Sequence, residues 1–336
     1  MSRLPDKLSY LYLSLENKVV GGRPTGGHSF GASTNTIEGR IQEPKGFLAR
    51  AMSTNTLSQV QAGPPPITVV QPRKGFWELE LGHLWDYHEL LFFLVWRDVK
   101  VKYKQTALGV AWAILQPLMA TLIFSIFFGR LAKMPSNGIP YPVFAYVALV
   151  PWQYFANALT EASNSLVASQ NLIKKVYFPR LIIPLTSVIA GLVDFCFAFI
   201  VLIGMMLHYG IKPSGSIFLF PAFLLLAVGT ALAAGLWLSA LNVQFRDVKH
   251  TIPFLIQFWF FATPVVYPSS ILPAKWRMWY GLNPMAGVIE GFRATILGQG
   301  GHPGPMIWVS TAAVIVMLIG GVFYFRKMES TFADVV

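Results

Sequence analysis

The chain has 336 residues, of which 54% are hydrophobic, 14% aromatic and only 12% charged, with a mean hydropathy of +0.53. A soluble domain carries about 25% charged residues to wet its surface, so this composition excludes a disordered chain, a coiled coil and an ordinary cytosolic enzyme. Twenty-six Lys and Arg against fifteen Asp and Glu give a formal charge of +11, which serves no nucleic-acid motif and reads as the charged loops of a multi-pass membrane protein.

Residues 1–74 differ in kind from the rest. They are rich in Gly, Ser, Thr and Pro and end near the stiff run Gly63-Pro64-Pro65-Pro66. Too little apolar surface is available there to offset the entropy of ordering, so a disordered leader is expected. Ile37-Glu38-Gly39-Arg40 matches a protease-recognition tetrapeptide of expression leaders, although chance or an over-extended gene start explains it equally well. Met52 offers an alternative start, and no function is assigned upstream of it.

Residues 75–106 form an interfacial and lead-in segment. The stretch 77–96 is apolar but interrupted by Asp86, His88 and Glu89, which suits a helix at the membrane surface with Trp77, Trp85 and Trp96 at headgroup level. A short helix packed on the bundle is the alternative. Within Arg97-Asp98-Val99-Lys100-Val101-Lys102-Tyr103-Lys104, helical spacing puts Arg97, Lys100 and Lys104 on one face and Val95, Val99 and Tyr103 opposite. Lys102 falls off the basic face and is expected to snorkel. This patch suits either anionic lipid headgroups or a docking partner.

A transmembrane domain is expected over residues 107–327, followed by a cytoplasmic tail, 328–336. Six spans are expected: 107–129, 141–158, 181–207, 217–241, 252–267 and 306–325. The first is about 35 Å long as a helix, enough for a ~30 Å hydrocarbon core. Pro117, Pro151, Pro253 and Pro264 are tolerable because neighbouring helices satisfy freed carbonyls. Between the last two spans lies a half-length apolar run, 278–289, which is too short to cross and too apolar for a free loop. A re-entrant or interfacial helix pair is the physical solution. Gly229-x-x-x-Ala233 and Ala231-x-x-x-Gly235 permit close helix packing in the fourth span.

Orientation follows from the basic flanks. Eleven residues (97, 100, 102, 104, 174, 175, 180, 246, 249, 326 and 327) stand on one side, against six (130, 133, 212, 275, 277 and 293) on the other. The excess puts both termini in the cytoplasm.

Little in the chain points to chemistry of its own. No Gly-x-x-x-x-Gly-Lys-[Ser/Thr] loop is present to cradle ATP phosphates. The six histidines lack metal-ligand spacing, and the single cysteine, Cys196, excludes a disulfide framework and a Cys-rich zinc site. No metal site is therefore expected. Asp194 is the one acid well inside a span. Its insertion costs about 2.5–3.5 kcal/mol, and sixteen Leu, Ile, Val and Phe in that helix return ~5–10 kcal/mol. It could line a polar path, pair with a basic group, or bond a Ser or Thr on another helix. Residues 161–179 are polar and helix-capable, fit for contact with a cytoplasmic partner or for a solvated loop. The aromatic clusters Trp152-Gln153-Tyr154-Phe155 and Phe258-Trp259-Phe260-Phe261 suit lipid, core, or the stacking of sugar rings.

Read together, several motifs carry a family resemblance. Arg97 through Gly109, continuing to Trp112 and Leu115-Gln116-Pro117, resembles the approach to the first span of ABC-2-type permeases. So do Val150-Pro151-Trp152, Tyr177-Phe178-Pro179-Arg180 with Pro184, Asn242-Val243-Gln244-Phe245-Arg246-Asp247-Val248, Thr263-Pro264-Val265-Val266-Tyr267 and Asn283-Pro284-Met285. The likeness covers about 77–327 and is narrower still to the transmembrane subunits of O-antigen, capsule and teichoic-acid exporters.

That resemblance implies an all-α integral membrane protein of the bacterial cytoplasmic (inner) membrane. It also implies a homodimer with two copies of a separate ATPase, which binds the ATP and Mg while this chain holds no cofactor. The substrate would be a lipid-linked glycan moved outward, with no enzymatic activity and no nucleic-acid partner. Coupling to the ATPase would fall to Arg97, Lys100, Lys104, Glu161, Lys174, Lys175, Arg246 and Asp247. Trp112, Gln116, Trp152, Tyr154, Phe155, Trp259 and Phe260 would line the path, with Glu290 and Arg293 in the outer re-entrant helices. The alternatives are an ABC-2 exporter of small lipophilic molecules or drugs and, from another class, a membrane-embedded glycosyltransferase, which predicts clustered acids the chain lacks.

Overall fold

Unbroken runs of Leu, Ile, Val, Phe and Ala fold as helices because a helix satisfies its own backbone donors and acceptors, the condition for entering an apolar medium. In this computed structural model, residues 85–104, 109–245, 247–298, 304–329 and 331–332 are described, and all regular structure among them is helical. The 1–74 leader, Trp77, the 105–108 joint and Arg246 lie outside the described residues.

Ten α-helices follow in order among the described residues. They are α1 (His88–Lys104), α2 (Gly109–Phe124), α3 (Tyr141–Ala168), α4 (Gln170–Lys175) and α5 (Ile182–His208). Then come α6 (Phe220–Gln244), α7 (Val248–Phe261), α8 (Ala274–Tyr280), α9 (Pro284–Leu297) and α10 (Pro305–Glu329). A π-helical stretch, Ser125–Leu131, continues α2, and a 3-10 turn, Gly215–Leu219, leads into α6.

Among the described residues, four helical stretches are long and apolar enough to cross a membrane: Val110–Leu131, Ile182–His208, Gly215–Gln244 and Pro305–Glu329. They correspond to the first, third, fourth and sixth expected spans. The second and fifth differ. Helix α3 has 28 residues, about 42 Å, but is interrupted by Gln153, Asn157, Thr160, Glu161 and Asn164. It runs ten residues past its expected end because it is the interior helix of the bundle. Twenty of its residues are buried, with α5, α6, α9 and α2 packed around it. Helix α7 has 14 residues, about 21 Å, and closes at Phe261 instead of running to Tyr267.

Hydroxyls buried or half-buried in this apolar setting bond back to their own helix. Thr160, Ser163, Thr186, Thr230 and Thr295 each donate to the carbonyl four residues earlier, which removes their need for a distant partner. Helix contacts are correspondingly close. A methyl group at Gly235 would meet Ala162 at 2.9 Å, and one at Gly229 would meet Val314 at 3.3 Å, so the small-residue pattern of α6 seats it against α3 and α10. Asn242 ties the same joint by donating to the Ser163 carbonyl at 3.0 Å and to Asn164 at 3.1 Å.

The apolar run 278–289 is broken at Gly281-Leu282-Asn283 into α8 and α9, of seven and fourteen residues. Asn283 caps α9, its side-chain oxygen accepting from the Met285 N–H at 3.1 Å, with Pro284 pre-set for the first turn. Gly298, at φ +68°, ends it in the left-handed conformation glycine favours. Helix α8 lies exposed, whereas α9 is buried against α3, α6 and α10.

Candidate functional site

Helix α1 lies alongside α5. Leu94 near its start packs with Leu181, Ile182 and Ile183, and Tyr103 near its end meets Phe197 edge-on. The periodicity of 97–104 puts Arg97, Lys100 and Lys104 on an exposed face, as expected, with Arg97 held by its neighbour Asp98 at 2.8 Å. Lys102 behaves differently from its expected snorkelling. Its ammonium pairs with the Asp194 carboxylate at 2.5 Å, and the Tyr103 hydroxyl donates to the other oxygen of the same carboxylate. Of the roles open to Asp194, pairing with a basic group is met by Lys102. The off-face position of Lys102 is what turns it toward α5.

Beside this triad, Gln116 of α2, Gln153 and Asn157 of α3, and Asp194 of α5 converge on a cavity of about 20 Å³, room for about one water. Gln153 donates to Asn157 at 3.2 Å. Gln116 was expected on a path; Gln153 and Asn157 were not singled out, although two amides one turn apart in an apolar helix were the available signal.

The expected path aromatics separate. Trp112 is 58% exposed. It heads a stripe of exposed apolar side chains on α2, with Leu115, Met119 and Leu122 at helical spacing and Ile126 in the π-helical continuation. Trp152, Tyr154 and Phe155 are buried in the core instead. Trp259 and Phe260 turn inward to join them, with ring centroids 5.0 Å apart for Phe155–Trp259 and 5.3 Å for Trp152–Phe260. The exposed stripe of α7 is Phe254, Phe258 and Phe261, because residues three and four apart share a face and 259–260 occupy the opposite one.

At the end of the bundle where α3 stops and α5 begins, Glu161, Lys174, Lys175 and Asp247 are all exposed. Tyr177, 87% exposed, stands among them and was not selected from the sequence as a contact residue. Behind this surface a second apolar cluster joins Leu166, Ile173, Phe178, Val243, Phe325 and Phe332. Arg180 clasps the end of α10, its backbone N–H reaching the Glu329 carboxylate at 3.3 Å and its guanidinium the Glu329 carbonyl. The segment between α4 and α5 is thereby fastened to the end of α10.

At the far end, Glu290 and Arg293 pair at 3.2 Å. Arg293 is 1% exposed, so it is no flanking surface charge. Its guanidinium donates to the carbonyls of Pro264 and Val265 at 2.7 Å and of Tyr267 at 3.2 Å, and lies 3.8 Å from the Phe144 ring centre. Burial lowers its proton affinity, opposed by the Glu290 charge. These are carbonyls of the turn that follows α7. Asn283 serves the same break, donating to Ala262 and Thr263 and accepting from the Trp259 indole at 2.8 Å. Burial and the hydrogen bond with Tyr267 push the Tyr280 phenol well above its usual range; its hydroxyl donates to the Ala262 carbonyl at 2.8 Å.

Residues 89–297 match the ABC-2 type transporter family. The chain belongs to that family. Among ABC-2 relatives, it is 31% identical over 260 residues to an O-antigen export system permease protein of Klebsiella pneumoniae, covering 76% of this chain and 96% of that one. It is 29% identical over 253 residues to an O-antigen export system permease protein of Myxococcus xanthus, covering 75% and 96%. Similarity extends to a polysialic acid transport protein of Escherichia coli, 23% identical over 242 residues and covering 70% and 92%. The ABC-2 match takes in α1 through α9, and so the triad, the aromatic joint and the Arg293 hub alike.

Proposed function

We propose that this chain is the transmembrane permease subunit of an ABC exporter, moving lipid-linked polysaccharide outward across the bacterial cytoplasmic membrane. The observation that carries the reading is a pair of uncovered apolar faces, the Trp112 stripe of α2 and the Phe254–Phe258–Phe261 stripe of α7. They stand in a chain whose relatives are named as polysaccharide export permeases. Two copies meeting across these faces enclose an aromatic-edged path, which suits sugar rings through their C–H patches. The inward Trp152, Tyr154, Phe155, Trp259 and Phe260 then act as the wall behind the path.

Power comes from two copies of a separate ATPase, which bind ATP and Mg; the chain's lack of a phosphate loop supports this division. The ATPase docks on the exposed Glu161, Lys174, Lys175, Tyr177 and Asp247, together with Arg246, the neighbour of Asp247 in sequence. Closure of its dimer pushes α4, and the Arg180–Glu329 clasp passes the displacement to α5 and α10. In the membrane α3 and α7 complete a six-span bundle, α8 and α9 re-enter from the outer side, and both termini face the cytoplasm. Arg97, Lys100 and Lys104 meet anionic headgroups or the ATPase at the inner surface.

Proteoliposomes test the division of labour directly. Chain plus ATPase is expected to translocate lipid-linked glycan only with ATP. Sustained ATP-driven export by the chain alone would sink it. An exporter of small lipophilic molecules is the second reading, favoured if hydrophobic dyes and not glycan stimulate the ATPase.

A further inference from the structure

We infer that the cleft between α2, α3 and α5 is a saccharide-hydroxyl subsite of the transport path, an inference that rests on the glycan-export reading above. Four polar side chains from three helices face it: Gln116, Gln153, Asn157 and Asp194. In an apolar bundle, such groups are costly unless partnered, and their presence marks function more often than packing. Their own partnering is incomplete. Among the described residues, Gln116 makes no side-chain hydrogen bond, and the Gln153 to Asn157 bond at 3.2 Å leaves the carbonyl of one and the amino group of the other uncommitted. Asp194 gives one carboxylate oxygen to Lys102 and the other to Tyr103, which retains lone pairs for further donors.

The mixture is the one a sugar needs. Each hydroxyl both donates and accepts, amides supply both roles side by side, and a carboxylate adds an acceptor. Trp112 lies one turn before Gln116 on the same exposed face of α2, which offers a flat ring beside the polar groups. At about 20 Å³ the cavity now holds a single water's worth of space. A pyranose therefore enters only when α2 moves off α3 and α5, and the cleft binds glycan in the open conformation. The Asp194 carboxylate that lines it is held by Lys102 and Tyr103, so α1 shares in fixing the carboxylate that the sugar meets.

Photo-crosslinking with the full chain, its ATPase stalled in hydrolysis, in cells making lipid-linked glycan tests this. A benzophenone side chain introduced at position 116 or 153 is expected to yield a glycan-bearing adduct. The same group at position 225, where the native leucine is 70% exposed on α6, is expected to yield lipid adducts only. In parallel, the double variant Gln116→Leu with Gln153→Leu is expected to co-purify with the ATPase at normal yield yet export roughly tenfold less glycan, the worth of one to two hydrogen bonds. The pair Gln116→Asn with Gln153→Asn, which keeps both amides, is expected to recover part of that loss. Normal export by the leucine variant, or adducts at 116 and 153 without glycan, would overturn the subsite and leave a water-filled cleft. Failure of the unaltered chain to restore surface glycan in a deletion strain would overturn the export reading, and this inference with it.

Discussion

Replacing Arg293 by methionine keeps its length and removes its fork of donors. Three carbonyls, those of Pro264, Val265 and Tyr267, then lose their donor in a buried setting. An unmet buried acceptor costs about 1–3 kcal/mol, while Glu290 keeps its bond from the Ser269 N–H at 3.1 Å and remains partly exposed. Part of the loss is offset, because methionine is cheaper to bury than a guanidinium. Breaking one partner of a buried pair in this way costs about 3–5 kcal/mol. At about 2–4 °C per kcal/mol for a domain of this size, the unfolding midpoint followed by tryptophan fluorescence in detergent is expected to fall by roughly 6–20 °C. Arg293→Lys keeps the charge and fewer donors, and is expected to fall in between. Hydrogen exchange is expected to rise first in residues 262–270, where the freed carbonyls lie. A methionine variant melting within about 2 °C of the native chain would refute the hub.

Three other outcomes follow from the packing and the charges. Gly291→Ala places a methyl 2.1 Å from the Phe223 ring and is expected to cost about 1–3 kcal/mol by overpacking, read as a lower melting midpoint. Lys102→Met with Asp194→Asn forms a double-mutant cycle whose coupling is expected near 0.5–1 kcal/mol, since the lysine is half exposed. The double variant should melt above Lys102→Met alone, because the second change removes an uncompensated carboxylate. Tyr177→Ala and Lys174→Glu, both at exposed positions, are expected to leave the melting midpoint unchanged while weakening ATPase co-purification. Unaltered co-purification would remove that surface from the coupling account.

Hydropathy made α2, α5, α6 and α10 legible, because their apolar runs are long and unbroken. It ended the second span at 158, since Thr160, Glu161 and Asn164 interrupt the apolar run, although a helix surrounded by other helices tolerates them and α3 continues to Ala168. It also ran the fifth span through Pro264 to Tyr267, where the structure stops at Phe261 and hands the carbonyls of the turn that follows to Arg293 and Asn283. The run Phe258-Trp259-Phe260-Phe261 is apolar at every position, so it carries no phase and could not say which rings face inward. The pairing of Lys102 with Asp194 joins residues 92 apart, a proximity that no local pattern encodes. The i,i+3 spacing of Glu290 and Arg293 was readable; that Arg293 is buried, with backbone carbonyls as its main partners, was not.

The location of the glycan in cells lacking this chain tests the central claim most directly. Lipid-linked polysaccharide is expected to accumulate at the inner face of the cytoplasmic membrane and vanish from the surface, and the restored gene is expected to return it. Normal surface glycan in the deletion strain would contradict the account.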